Sequence, residues 1–116
     1  MRWDSRQYYI YIVTNWSMSV LYTGVTNNLQ QRIIEHYLDR IDKRSFAGKY
    51  NAHFLLYYES YQYVDVAIAR EKEIKGWRRD KKLDLIKTFN PGLEFLNVEI
   101  FGKWPPDEMI HRKDIL

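Results

Sequence analysis

Tyr11, Tyr22, Arg32 and His36 are the residues of this chain whose types and spacing could do chemistry together. A tyrosine hydroxyl, with an ordinary pKa of about 10, becomes a useful base only where a neighbouring charge stabilises its anion. Arginine presents a planar fork of N–H donors that matches the oxygens of an anion, a task lysine performs less specifically. Arg32 and His36 stand four residues apart, so on a helix their side chains reach one site together. Such a group could move a proton and hold an oxyanion, provided that strands and a helix bring the four to one surface.

The local sequence supplies those elements in order. Residues 8–14 (Tyr-Tyr-Ile-Tyr-Ile-Val-Thr) are β-branched and aromatic and predict a strand. Residues 15–19 are polar enough to turn the chain, and residues 20–23 predict a short partner strand, giving a hairpin. Gly24 then marks a bend or a close backbone approach. Asn28 is a good N-cap, and Gln31 completes a capping-box pattern. The helix it opens carries Leu29, Ile33, Tyr37 and Ile41 as its buried stripe, with Arg32 and His36 on the neighbouring one. Residues 42–51 read as a polar loop containing Gly48-Lys49-Tyr50. Residues 53–59 (His-Phe-Leu-Leu-Tyr-Tyr-Glu) are a nearly continuous apolar run, the mark of a central strand. Asp65 caps a second predicted helix running to about Trp77, with Ala67, Ile74 and Trp77 as its apolar side and Gly76 weakening its end. A third is predicted from Lys81 to Phe89, stopped by Asn90-Pro91-Gly92. Residues 95–101 read as a short extended segment. At 116 residues the chain is expected to form one domain over residues 1–101, with 102–116 as a peripheral tail.

Tyr9-Ile10-Tyr11, then Tyr22-Thr23-Gly24, Asn28-Leu29, Arg32 and His36 resemble the signature of the GIY-YIG nuclease family. The first triplet reads Tyr-Ile-Tyr rather than Gly-Ile-Tyr and the second Tyr-Thr-Gly rather than Tyr-Ile-Gly, so the tyrosines and the glycine carry the match. The resemblance covers residues 8–97. It is to the small stand-alone bacterial members rather than to homing endonucleases or the excision-repair nuclease subunit. It implies an α/β (α+β) fold, a small three-stranded, mainly antiparallel sheet flanked by helices. It further implies a DNA endonuclease that hydrolyses phosphodiesters with a divalent metal, Mg2+ or Mn2+. In that reading Tyr22 or Tyr11 takes a proton from water, directly or through His36, and Arg32 contacts the scissile phosphate. The metal needs a carboxylate on a later helix, and Ala69-Arg70-Glu71-Lys72-Glu73-Ile74-Lys75 resembles that segment. The family pattern Arg-Glu-x-x-Ile-Lys names Glu71, whereas the helical wheel sets Glu71 and Glu73 on opposite sides of the apolar stripe and does not choose. One carboxylate plus waters suits magnesium, which dehydrates reluctantly. Asn90 takes the place of the family's late asparagine.

With 18 basic and 15 acidic residues the net charge is +3, which suits a polyanion only where the cations cluster. They cluster at Arg78, Arg79, Lys81 and Lys82, and in the predicted loop at Lys43, Arg44 and Lys49. These are the expected contacts to the DNA backbone, with a solvated charged face as the plainer alternative. No side chains point to base-edge readout. Weak sequence preference is therefore expected, with selectivity from DNA shape or strand structure: branched, damaged or single-stranded DNA, as in repair or recombination-type processing. With no separate DNA-binding module in view, a protein partner could supply specificity. The lack of cysteine excludes disulfides, cysteine-ligated zinc and thiol nucleophiles, and fits the cytoplasm. No apolar run approaches the roughly 18 residues of a membrane span, and the polar residues 1–5 are not expected to be a signal peptide. His53 and His111 read as structural, and Trp77 as core. Two other functions stay open: a non-catalytic nucleic-acid-binding module that keeps the fold, and a protein-interaction domain with an aromatic surface.

Overall fold

Five successive residues of one strand, Ile10 to Thr14, are buried, as happens only when a strand is covered on both faces and paired on both edges. In the computed structural model, which describes residues 7–43 and 45–106, that strand is β1 (Tyr8–Thr14). The readings made for residues 1–5, Arg44, His111 and the rest of 107–116 lie outside the described residues. β1 pairs antiparallel with β2 (Leu21–Thr26) on one side and β3 (Phe54–Tyr61) on the other, in the order β2-β1-β3. The centre of the sheet is thus β1, and the apolar run at 53–59 is an edge strand. Its outer edge is covered instead by the chain after the last long helix: the Asn97 side chain accepts from Leu55 N–H and donates to His53 O, and Leu96 N–H donates to Leu55 O.

Alternation along β1 divides the core. Ile10 and Ile12 join Leu56, Ala67, Ile74 and Ile86 on the face covered by α3 (Val64–Lys75) and α4 (Arg79–Phe89). Tyr11 and Val13 join Leu29, Ile33, Ala47 and Leu55 on the face covered by α1 (Leu29–Asp42) and α2 (Phe46–Lys49). Burying apolar area on both faces, at about 25 cal/mol per Å2, is what fixes the strand register.

Asn28 caps α1 as predicted, its side chain accepting from Gln31 N–H at 3.1 Å. The buried line of α1, however, is Leu29, Ile33, His36 and Asp39, and Ile41 is 73% exposed. Tyr11 and Tyr22 stand against that line, so a polar residue occupies its middle. β2 runs three residues further than predicted, and Gly24 lies inside it as the cross-strand partner of Tyr11 rather than at a bend. The predicted loop at 42–51 contains α2, capped by the Ser45 hydroxyl on Gly48 N–H at 3.0 Å. Gly48 is there because a Cβ would meet Asp39 Cβ at 2.6 Å. The segment 95–101, predicted extended, holds α5 (Asn97–Phe101). Residues 102–106 of the predicted tail pack inward through Trp104, whose ring is 5.2 Å from Tyr37 and 5.1 Å from Phe101. Among the described residues no helix is long and apolar enough to cross a membrane.

Candidate active site

From the central strand, Tyr11 points at α1, and its hydroxyl lies 2.8 Å from His36 Nε2. Tyr22, on the neighbouring strand, puts its ring 5.5 Å from His36 and 6.3 Å from Tyr11. Gly24 makes this possible, since a Cβ at that position would sit 2.3 Å from the Tyr11 hydroxyl oxygen. Arg32 is one helical turn before His36, half-exposed and paired with Glu35 at 2.8 Å. It lines a polar cleft of about 150 Å3 with Thr26, Asn27, Asn28, Gln31 and Glu35.

The electrostatics of this group follow from its depth. Tyr11 is only 1% exposed. Burial pushes its hydroxyl well above the ordinary tyrosine range, and the nearby Arg32 charge only partly offsets this. Burial, then the Arg32 charge, lowers His36 to about 3, so the imidazole is neutral near pH 7. Burial alone would lower Arg32, but its bond to Glu35 and the adjacent Tyr11 oxygen raise it, and the guanidinium stays charged. The result is a neutral tyrosine–histidine pair with a fixed cation beside it. His36 Nδ1 and Thr23 Oγ1 have no hydrogen-bond partner among the described residues.

Glu71 and Glu73 diverge, as the helical wheel requires. Glu71 is 13% exposed and bonded at 2.7 Å to Lys75, whose Nζ lies 5.7 Å from the centre of the Tyr22 ring. Glu73 is 55% exposed and held by Arg70 at 2.9 Å. Arg70 in turn grips Glu59 of β3 with two N–H groups, at 2.9 and 3.0 Å. Of the two carboxylates, Glu71 is therefore the one tied to the Tyr22 side. No group of three or more His, Cys, Asp or Glu side chains forms a ready metal cage among the described residues. A lone carboxylate fits a hard cation that takes its other ligands from water and phosphate, and it does not fit zinc.

The predicted DNA contacts occupy different settings. Lys49 is exposed on α2, its Nζ 5.6 Å from the Tyr50 ring. Arg78 is exposed and only loosely paired with Asp80 at 3.8 Å. Arg79 donates to Met18 O in the β1–β2 turn, and Lys81 lies 4.3 Å over the Trp77 ring. Lys82 is half-buried, and burial, then the Lys75 charge, lowers its pKa. Asn90 is a correction. It is buried, its amide donates to Leu56 O and Glu94 O, and its oxygen accepts from Glu94 N–H. Its polar atoms hold the turn after α4 against β3 and are not presented to a ligand. His53 is buried, lowered to about 4 by burial and then by Arg40, and packed against Tyr37 and Trp104.

Sequence reasoning missed Glu35, Lys75, Phe46 and Tyr50 near the site. Glu35 and Lys75 carried a signal, at i+3 from Arg32 and i+4 from Glu71. Phe46 and Tyr50 carried none until the loop proved to be a helix.

Residues 7–84 match the GIY-YIG catalytic domain, and the chain belongs to that family. Membership supports a nuclease-type function acting on nucleic acid. The chain is also similar to the UPF0213 proteins of Staphylococcus aureus strains Mu3 and Mu50, each 35% identical over 80 residues that span 69% of this chain and 94% of the relative. The solution NMR structure of the UPF0213 protein BH0048 from Bacillus halodurans is 25% identical, with a TM-score of 0.49, covering 79% of this chain and 95% of that one.

Proposed function

We propose that this chain is a Mg2+- or Mn2+-dependent DNA endonuclease of low sequence specificity, used in repair or recombination-type processing. The observation that carries the reading is the 2.8 Å contact between Tyr11 and His36, with Tyr22 against both rings and Arg32 one turn away. Arg32, held charged, binds the scissile phosphate. Tyr22 is half-buried where Tyr11 is closed off, so Tyr22 is the phenol that solvent reaches and that takes the proton of the attacking water. Tyr11 and His36 act behind it, fixing the ring. Glu71 would hold the cation, which supplies Lewis acidity and orients the phosphate when bound. Lys49 and Arg78, both exposed, are the backbone contacts the geometry leaves most available, and Lys82, near the Lys75 charge, is a further one.

One observation favours a second reading: Glu71 is occupied by Lys75 at 2.7 Å. A chain in which that pair never opened would be a nucleic-acid-binding module without turnover. The test is cleavage of plasmid, single-stranded and branched DNA in magnesium against EDTA, with Arg32→Ala and Glu71→Gln in parallel. We expect magnesium-dependent cutting that falls at least about 100-fold in both variants. Salt-dependent binding with no cutting of any substrate would install the second reading.

A further inference from the structure

Phe46 and Tyr50 stand beside the site with open faces. They lie one helical turn apart across α2, ring centres 4.7 Å from each other, and are 51% and 40% exposed. On its inner side the Phe46 ring lies 5.8 Å from Tyr22 and only 25° from parallel. A row of three rings, Tyr22, Phe46 and Tyr50, therefore leads from the candidate catalytic phenol out to solvent. The fold does not need the outer two for burial, because α2 is anchored to α1 by Ala47 and Gly48, both buried. A cation accompanies each end of the row: Lys75 Nζ 5.7 Å from the Tyr22 ring and Lys49 Nζ 5.6 Å from the Tyr50 ring.

Open aromatic faces flanked by ammonium groups match a single nucleic-acid strand, whose bases stack on rings while its phosphates meet cations. Lys75 is held by Glu71, but Lys49 is exposed beside the outer ring, and a protein patch would give the rings apolar cover with no use for that cation. Duplex DNA hides its base faces in its own stack, so only unpaired or extruded bases can use such a row. We propose that Phe46 and Tyr50 stack the unpaired bases next to the cleaved phosphate, so that the substrate is DNA with a single-stranded segment at the cleavage point. Cleavage at that phosphate rests on the nuclease reading; the stacking does not.

The test is binding in EDTA, where no cutting intervenes. The probes are a single-stranded oligonucleotide and a blunt duplex of equal length, each carrying 2-aminopurine, whose fluorescence is quenched by stacking. Wild type is compared with the Phe46→Leu/Tyr50→Leu double variant, which keeps apolar bulk without an aromatic face. We expect tighter binding and a fluorescence change for the single strand, and a loss of about tenfold or more of that affinity in the variant. Duplex affinity should stay as it was. Equal wild-type affinity for both probes, or equal loss of both in the variant, would overturn the proposal. Should the variant unfold, Phe46→Trp with Tyr50→Trp restores flat rings and must retain single-strand preference, with indole fluorescence reporting the stack. A protein that stacks the single strand but never cuts in magnesium sinks the nuclease reading alone; one that cuts blunt duplex as well as single strands, with no dependence on the two rings, sinks this proposal alone.

Discussion

His36 sits where the stripe of α1 calls for an aliphatic residue, and it is fully buried there. A leucine would pack, but it could not meet the Tyr11 hydroxyl. The exchange has a measurable consequence. His36 is lowered to about 3 and His53 to about 4, both by burial first, whereas an unfolded histidine titrates near 6.5. Between those values the unfolded chain binds protons that the folded chain refuses, so stability rises with pH. This contribution is fully present above about pH 6.5 and is lost as pH falls through the folded values. We expect urea titrations to show a loss of about 2 kcal/mol per histidine between pH 7 and pH 5. His36→Phe should remove about half of that slope; an unchanged slope would mean that the imidazole takes up its proton in the native protein as readily as in the unfolded chain.

At the scale of elements, β2 shows how one glycine serves a neighbouring strand. Gly24 is opposite Tyr11, and the phenol ring lies over the space a side chain would take. Gly24→Ala is expected to destabilise the fold by about 1–3 kcal/mol, through overpacking, and to displace Tyr11 from His36. Chemical denaturation reads the first effect and the His36 NMR titration the second. Gly76→Ala serves as a control: it ends α3 at ordinary helical angles, and its Cβ would meet nothing nearer than 3.5 Å. The hairpin, the capped α1 and the stop at Asn90 were legible because turn chemistry and capping are local. α2 and α5 were not, because four or five residues show no period, and each is set by a contact with a distant element: Gly48 on Asp39, and Asn97 on the edge of β3.

Over the whole molecule the small excess of positive charge becomes useful only through its placement. Lys75 and Lys82 interact on the side of the candidate site and Lys49 marks the α2 end, while Arg79 is already bonded to Met18 O. For single-stranded DNA each neutralised phosphate contributes about 0.7 to the slope of log affinity against log salt. Lys49→Gln and Lys82→Gln are each expected to reduce the slope by about that amount, and Arg79→Gln to leave it nearly unchanged. Anisotropy titrations over a salt series check this, and an Arg79 effect as large as the others would show that its bond to the turn opens on DNA.

Residue type and spacing alone determined that two tyrosines, an arginine and a histidine would ride on a strand–turn–strand–helix unit, because strand and helix periods act within a few residues. The same spacing held the antiparallel hairpin and the placement of Arg32 one helical turn before His36. Which strand lies in the middle was beyond it: the runs at 8–14 and 53–59 are about equally apolar, and only the tertiary pairing puts β1 between the other two and leaves the outer edge of β3 to Asn97 and Leu96. The tertiary structure likewise decided which carboxylate accompanies Tyr22 and that Asn90 serves the core. It also stood Phe46 and Tyr50 in a row with the site. Each of these depends on surfaces that meet across dozens of residues, where no local period carries the information.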